Sequence, residues 1–221
     1  MPRTNPSSLD SHAESRLNAL GLSSEIFHNG LRRGATRGAN RSALALDSSP
    51  GTDVYHDGME DHAQVLAVAG WRIAFVEHQP RLLHPEGKVS FTISSATNVG
   101  KENMRTPCTR KKGPATRNSL AAPEFTAGLF EDIDAELAAE LSAAATKAPF
   151  YFLLWERATL GGNGLILEFS EPAGMTDGGI VNSWGDRIGV RYLDLEGDLS
   201  VFSDPDDGDS GDEFDVPVEP R

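Results

Sequence analysis

A short basic segment is the part of this sequence best suited to bind a charged ligand. Arginine and lysine donate charge-assisted hydrogen bonds to phosphates and carboxylates, and Gly113 lets another backbone approach closely. This segment, residues 101–117, contains only one acid, Glu102. The segment suits a polyanion, an acidic protein surface and the acidic end of its own chain equally well. The predicted binding residues are Lys101, Arg105, Arg110, Lys111, Lys112 and Arg117.

Nucleic acid is the less favoured of the polyanions. Proteins that bind single strands stack bases on aromatic side chains, and residues 101–117 contain no Phe, Tyr or Trp. The whole chain carries a net charge of −13, which repels a phosphate backbone. Nucleic acid therefore stays an open partner, and the sequence does not decide between an acidic protein and another polyanion.

A second group of polar residues has the side chains that metal ions prefer. His56 and Glu60 are four apart, which places them on one face of a helix. However, neither an H-E-x-x-H motif nor a partner cluster accompanies them. We interpret the group as the solvent face of an amphipathic helix and predict no metal site. Its members are Asp53, His56, Asp57, Glu60, Asp61 and His62.

No established catalytic motif is present. Glu86 and Lys88 have the E-x-K order of a metal-dependent nuclease, but Glu86 lies in a predicted turn without a suitable preceding aspartate. Cys108, the single cysteine, has cationic neighbours that favour its thiolate but no assignable acid or base partner. Phosphate-binding and G-x-S-x-G motifs are also missing. We predict no cofactor and favour a non-enzymatic protein, with an enzyme such as a metal-dependent nuclease or hydrolase as the alternative.

Three helices are predicted before residue 70. The first begins near Ser11, and the third runs over about 53–69. The second begins at residue 23 or 24 and is predicted to fail where Gly34 and Gly38 interrupt it. The interrupted segment contributes further cations to the predicted binding surface, namely Arg32, Arg33, Arg37 and Arg41.

Strand patterns begin after this helical region. Alternation with period two predicts a strand with Trp71, Ile73 and Phe75 on one face. The segment 88–94 repeats the pattern and is predicted to pair with it antiparallel, with 82–84 as an edge piece.

The second half of the chain completes the predicted sheet. After a loop at 96–117, the segment 129–147 is rich in Ala, Leu and Glu and predicts a helix. The segment 150–158 is apolar on both faces, as in a central strand, and strands at 165–172 and 186–195 follow. The order predicts an α+β domain with a mixed or antiparallel sheet of about five to six strands. N-terminal helices and one mid-chain helix are predicted to pack on it.

The acidic charge is concentrated at the C-terminus. Residues 194–221 hold 11 of the 33 acids and one cation, whereas residues 1–193 hold 22 acids and 19 bases. Too few apolar groups occur after residue 202 to offset the entropy of ordering. We therefore predict a disordered N-terminus at 1–8, a single domain at 9–202 (helical part 9–70, sheet part 71–202) and a disordered acidic tail at 203–221.

The location of the protein is predicted from what the sequence lacks. It contains no apolar run of signal-peptide or membrane-spanning type, and its single cysteine rules out an internal disulfide. We expect a cytoplasmic protein without membrane contact.

Several segments together resemble a known group of proteins. The likeness is carried by Gly70-Trp71 with its strand pair, the basic segment 106–116, Leu-Glu-Phe-Ser-Glu-Pro at 167–172 and Val-Asn-Ser-Trp-Gly-Asp-Arg-Ile at 181–188. They resemble an uncharacterised bacterial protein family associated with accessory genome regions. The resemblance covers most of residues 53–193 and implies a bacterial cytoplasmic setting without a particular chemistry. The predicted function is that of a binding or accessory protein whose basic loop, residues 101–117, engages an acidic protein partner or a polyanion.

Overall fold

The computed structural model describes residues 6–101, 106–120, 133–158 and 163–195. These residues form five helices and one seven-stranded mixed sheet, which confirms the predicted α+β class. The predicted tail at 203–221 lies outside the described residues. The helices are α1 Pro6–Ala19, α2 Ser24–Ala39, α3 Ser49–Ala67, α4 Pro114–Leu120 and α5 Ile133–Lys147. The strands are β1 Arg72–Val76, β2 Gln79–Leu83, β3 Ser90–Thr97, β4 Cys108–Thr109, β5 Phe150–Arg157, β6 Gly164–Met175 and β7 Val181–Asp194.

The sheet has the strand order β1-β2-β3-β5-β6-β7, and β4 pairs with the end of β3. Strands β3 and β5 are parallel, and every other described pair is antiparallel. The prediction of β5 as a central strand is confirmed, as is the helix before it over its described part. The parallel pair brings residues 90–95 beside residues 150–155, so distant parts of the chain meet in the middle of the sheet.

The prediction that residues 82–84 form an edge piece of the sheet is wrong. Leu82 and Leu83 belong to β2, which lies between β1 and β3, so β1 is the edge strand. The hairpin between β1 and β2 turns through Glu77 and His78, with φ of 46° and 66°. Two-residue hairpin turns of this type usually carry Asn or Gly, so these residues gave no turn signal.

The large apolar side chains of β1 do not lie on its buried face. Ile73 and Phe75 are 39% and 60% exposed, whereas Ala74 and Val76 are buried in a cluster with residues of α5. The strand alternates as predicted, but the small side chains face the helix because they leave room for its close approach. Trp71 is buried just before the strand begins.

Helix α2 does not fail at its glycines. It continues to Ala39, because Gly34 and Gly38 face the start of α3 at a distance that no side chain would allow. A Cβ atom on Gly34 would lie 2.6 Å from the backbone oxygen of Asp53, and one on Gly38 would lie 2.9 Å from that of Pro50. The missing side chains therefore permit two helices to pack closely, which offsets the low helix propensity of glycine.

The main core lies between α1–α3 and one face of the sheet. It contains Phe27, Leu31, Phe91, Leu153 and Phe169, all fully buried or nearly so. A smaller cluster on the opposite face includes Phe150, Phe152 and Leu154 of β5. No described helix has the length and apolar character needed to cross a membrane.

Candidate functional site

A break in the sheet next to β3 creates the candidate site. The β2–β3 pairing stops at Leu82 opposite Phe91, and β4 pairs with β3 only at Ala96 and Thr97. If the ladder continued, Pro80 would oppose Ile93, and proline has no N–H to donate to it. Among the described residues, no strand consequently pairs with the edge of β3 between these two pairings.

A pocket of about 340 Å³ opens at this break. Its wall is mainly polar, and of the described residues no aspartate or glutamate lines it. Two cations from the basic loop, Arg110 and Lys112, reach it. The remaining lining residues are Ser48, Gly51, Thr52, Tyr55 and His56 near the start of α3, Gln79 of β2, Thr92, Ile93, Ser94 and Ser95 of β3, and Phe152 and Trp155 of β5.

Lys112 is fixed inside this pocket at both its backbone and its side chain. Its backbone N–H donates to the carbonyl oxygen of Gly179 at 2.7 Å, which ties the basic loop to the turn before β7. Its Nζ lies 2.5 Å from Ser94 Oγ and 5.4 Å from the ring centroid of Phe152. The ammonium group thus lies over an aromatic face with a hydroxyl as its polar partner.

The charge of Lys112 is not neutralised by a carboxylate within the described part of the chain. Burial, and next the positive charge of Arg110, lower the pKa of Lys112 from 10.5 to about 8. An anion entering the pocket would favour the charged form and offset this desolvation. The pocket is thus electrostatically prepared for a negative group.

A buried arginine adds to the positive potential beside the pocket. Arg81 is fully buried, and its Nε and Nη2 donate to Oε1 of Gln79, a pocket residue, at 3.1 and 2.9 Å. Its guanidinium lies 3.9 Å over the ring of Phe150, and burial lowers the pKa of Arg81 to about 10. Among the described residues Arg81 has no ion pair.

The basic loop does not form one continuous charged face. Arg110 and Lys112 line the pocket, whereas Lys101 is exposed and Arg105 lies outside the described residues. Lys111 is exposed and packs its side chain along Gly179, and Arg117 Nη2 donates to the carbonyl oxygen of Asp177 at 3.2 Å. The structure therefore brings together two of the six predicted binding residues.

Three of the four arginines in and just after α2 form ion pairs with acids of α3. Arg33 pairs with Glu60 and Asp61, Arg37 with Asp57, and Arg41 with Asp53, at distances of 2.6 to 3.1 Å. Because these acids lie on α3, the pairs close the α2–α3 interface. Arg32 donates to the carbonyl oxygen of Asp194 at 3.2 Å.

The acids and histidines of α3 are likewise not a simple solvent face. Asp53, Asp57 and His62 are buried, whereas His56 and Glu60 are exposed. No group of three or more potential ligands that could hold a metal ion occurs in the described ranges. The acids instead serve as partners for the α2 arginines.

The two other chemical candidates lie apart from the pocket. Glu86 pairs with Lys88 at 2.8 Å, next to the predicted turn. Cys108 lies in β4, and its Sγ is 3.7 Å from the carbonyl oxygen of Thr106.

Ser94 is the pocket residue that sequence patterns did not single out. It follows Ser90 and Thr92 on the polar alternation of β3, opposite Val89, Phe91 and Ile93. Such an alternation normally predicts a solvent face, yet Ser90, Thr92 and Ser94 are all buried. The proline at position 80, inside a strand that should pair on both sides, was the signal for the break.

Comparisons of this chain with protein-family models, with curated proteins and with solved structures found no match.

Proposed function

We propose that this chain is a cytoplasmic bacterial binding protein that engages an acidic protein partner through its basic loop. The bacterial setting follows the family resemblance, and the binding role follows the charge of the pocket. One observation carries the proposal: Arg110 and Lys112 enter a polar pocket that no described carboxylate lines.

The size of the pocket favours a single acidic group. A volume of about 340 Å³ is near the lower limit for ligand sites and accommodates a side chain or a terminal carboxylate. A polyanion would require a longer row of free cations, but two α2 arginines and Arg41, which follows that helix, are paired with α3 acids. An acidic protein segment with one inserted carboxylate fits this arrangement better than a nucleic acid does.

The proposal is tested with a fluorescent glutamate-rich peptide as the probe and the full chain as the receptor. Binding should weaken as salt is raised, because the contacts are ionic. Replacing Arg110 and Lys112 together by Ser should reduce affinity at least tenfold, since hydrogen bonds to charged groups contribute about 1.5 to 3 kcal/mol each.

The matched control removes the same number of cations elsewhere. Arg72 and Lys88 are exposed and do not line the pocket, so Arg72→Ser with Lys88→Ser should leave peptide affinity nearly unchanged. Equal losses in the two double variants would show that only net charge matters. Salt-sensitive binding of heparin or DNA without peptide binding would replace the protein partner by a polyanion.

A further inference from the structure

We propose that Ser94 and Lys112 form a nucleophile and general-base pair that accepts acyl groups from a ligand held in the pocket. This activity goes beyond the proposed binding role and uses the same cavity. The class of ligand is a carboxylic ester, thioester or activated amide that also carries an anionic group.

The geometry of the pair supports this role. Lys112 Nζ donates to Ser94 Oγ at 2.5 Å, the Ser94 hydroxyl donates to the carbonyl oxygen of Ser95 at 3.0 Å, and both Ser94 and Lys112 line the pocket. When Nζ is neutral, the same short distance lets the hydroxyl turn and donate to it instead. A serine hydroxyl is a weak nucleophile until an adjacent base removes its proton, and a desolvated lysine can serve as that base. Ser94 lies on a central strand whose backbone pairs with β5, so its position is rigid.

The surroundings favour the neutral amine that this chemistry needs. The lowered pKa of Lys112, about 8, leaves a substantial neutral fraction at slightly alkaline pH. A carboxylate next to Nζ would raise that pKa; none lines the pocket among the described residues, and the ligand's anionic group is assigned to Arg110 rather than to Lys112. Lys112 also keeps its place through its backbone bond to Gly179.

The reaction balances without a cofactor. Ser94 Oγ attacks the carbonyl carbon, forming a C–O bond, while its proton passes to the neutral Nζ of Lys112. The tetrahedral intermediate then expels the leaving group, which takes the proton back from Lys112. Water attacks the acyl-serine with Lys112 again as base, releasing a carboxylic acid and restoring the Ser94 hydroxyl.

Arg110 supplies orientation in this scheme. It is an exposed cation at the same pocket and has no ion pair among the described residues. Held there, the anionic group of a ligand would bring its acyl carbon towards Ser94. This part of the inference rests on the proposed function, whereas the reactivity of Ser94 does not.

An alkyl fluorophosphonate is a suitable probe, because it forms a P–O bond with an activated serine and releases fluoride. Treated with this probe, the full chain should gain the mass of one adduct, mapped to Ser94 by peptide mass spectrometry. The labelling rate should rise about tenfold per pH unit below the pKa of Lys112 and level off above it.

Variants separate chemistry from folding. Ser94→Ala should abolish the adduct, and Lys112→Met should slow labelling at least about 100-fold. Lys112→Arg keeps a positive hydrogen-bond donor but not a base, so it should also remove the rise with pH. The exposed residues Lys88 and Ser183 provide the controls Lys88→Met and Ser183→Ala, which should label normally.

The proposal is overturned by the absence of an adduct on the wild-type chain at pH 9, or by unchanged labelling in Lys112→Met. An adduct confined to another residue would also exclude it. Binding of the glutamate-rich peptide, measured in parallel, should weaken above pH 8 as Lys112 loses its charge, while labelling increases. Failure of one trend alone therefore identifies which of the two proposals is wrong.

Discussion

Glu168 and Arg187 form a two-bonded ion pair between the neighbouring strands β6 and β7. Arg187 Nε lies 2.6 Å from Oε1 and Nη2 lies 2.8 Å from Oε2 of Glu168. The same carboxylate accepts the backbone N–H of Gly100 at 3.0 Å and the hydroxyl of Ser170 at 2.6 Å. Glu168 is only 2% exposed, so this one side chain links the turn after β3 to the far half of the sheet.

Removing the arginine from this pair should be strongly destabilising. Arg187→Met leaves a buried carboxylate without its counter-charge, and such changes cost about 3 to 5 kcal/mol. The combined change Glu168→Leu and Arg187→Met should cost less, because no unpaired charge remains buried. Urea unfolding measures the free energy of unfolding of both variants. The control is Arg191→Met at an exposed position, which should change this free energy little. A double variant less stable than Arg187→Met would contradict this account.

The imidazole of His62 should make the fold sensitive to mild acid. Burial lowers the pKa of His62 from 6.5 to about 4, so the folded protein keeps it neutral while the unfolded chain protonates it near pH 6.5. The stability that neutral His62 gives to the folded protein is fully present above pH 6.5 and is lost as the pH falls towards 4. Between pH 7 and 5 this residue should account for a loss of about 2 kcal/mol.

A leucine at this position separates the effect of His62 from that of other groups. His62→Leu should show a smaller decrease in the free energy of unfolding between pH 7 and 5 than the parent shows. The exposed His78→Gln should keep the parent's pH dependence. Identical pH profiles for His62→Leu and the parent would rule out His62 as the acid-sensitive group.

The close contact of α2 with α3 predicts an unusual response to alanine. Gly34→Ala should destabilise the protein by about 1 to 3 kcal/mol, despite the higher helix propensity of alanine, because the new methyl meets the backbone of Asp53. Gly189→Ala is the matched control, since a Cβ there meets nothing within 4 Å. Thermal unfolding of both variants tests the prediction, and a more stable Gly34→Ala would exclude this packing.

Trp155 contributes both to the core and to the wall of the pocket. It is 9% exposed, so Trp155→Ala should cost about 3 to 5 kcal/mol. Its Nε1 is buried without a hydrogen-bond partner among the described residues, so Trp155→Phe loses no such bond and should cost clearly less. Denaturant unfolding decides the matter; a cost below about 1 kcal/mol for Trp155→Ala would show that the side chain does not support the core.

Local patterns predicted which segments form strands better than they predicted which strands lie next to each other in the sheet. The apolar run of β5 identified a central strand because burial on both faces leaves a direct trace in composition. The turn at Glu77 and His78 left none, and the neighbour of β3 was therefore assigned incorrectly. Pairing depends on such turns and on distant segments, which a window of a few residues does not contain.

The residues of the pocket were even harder to predict from local sequence than the strand pairing. The basic loop was recognisable from its charges, but charge alone did not separate Arg110 and Lys112 from the other four cations. What distinguishes these two is their position at the break beside β3, which depends on Pro80 and on the contact with Gly179. Similarly, no acid stands near Arg33, Arg37 or Arg41 within their own segment of the sequence, because their acidic partners lie on the next helix, α3.

The parallel pairing of β3 with β5 also has a kinetic consequence. Helices α2 and α3 are close in sequence and can meet early, whereas β3 must find a strand about 60 residues further along the chain. Closing such a long loop costs entropy before any stabilising contact forms between the two strands, so the pairing belongs among the slower folding events. Ser94 and Lys112 can face Phe152 only once β5 has docked. Fluorophosphonate labelling of Ser94 during refolding would then report the completion of the native sheet, later than the formation of helical structure.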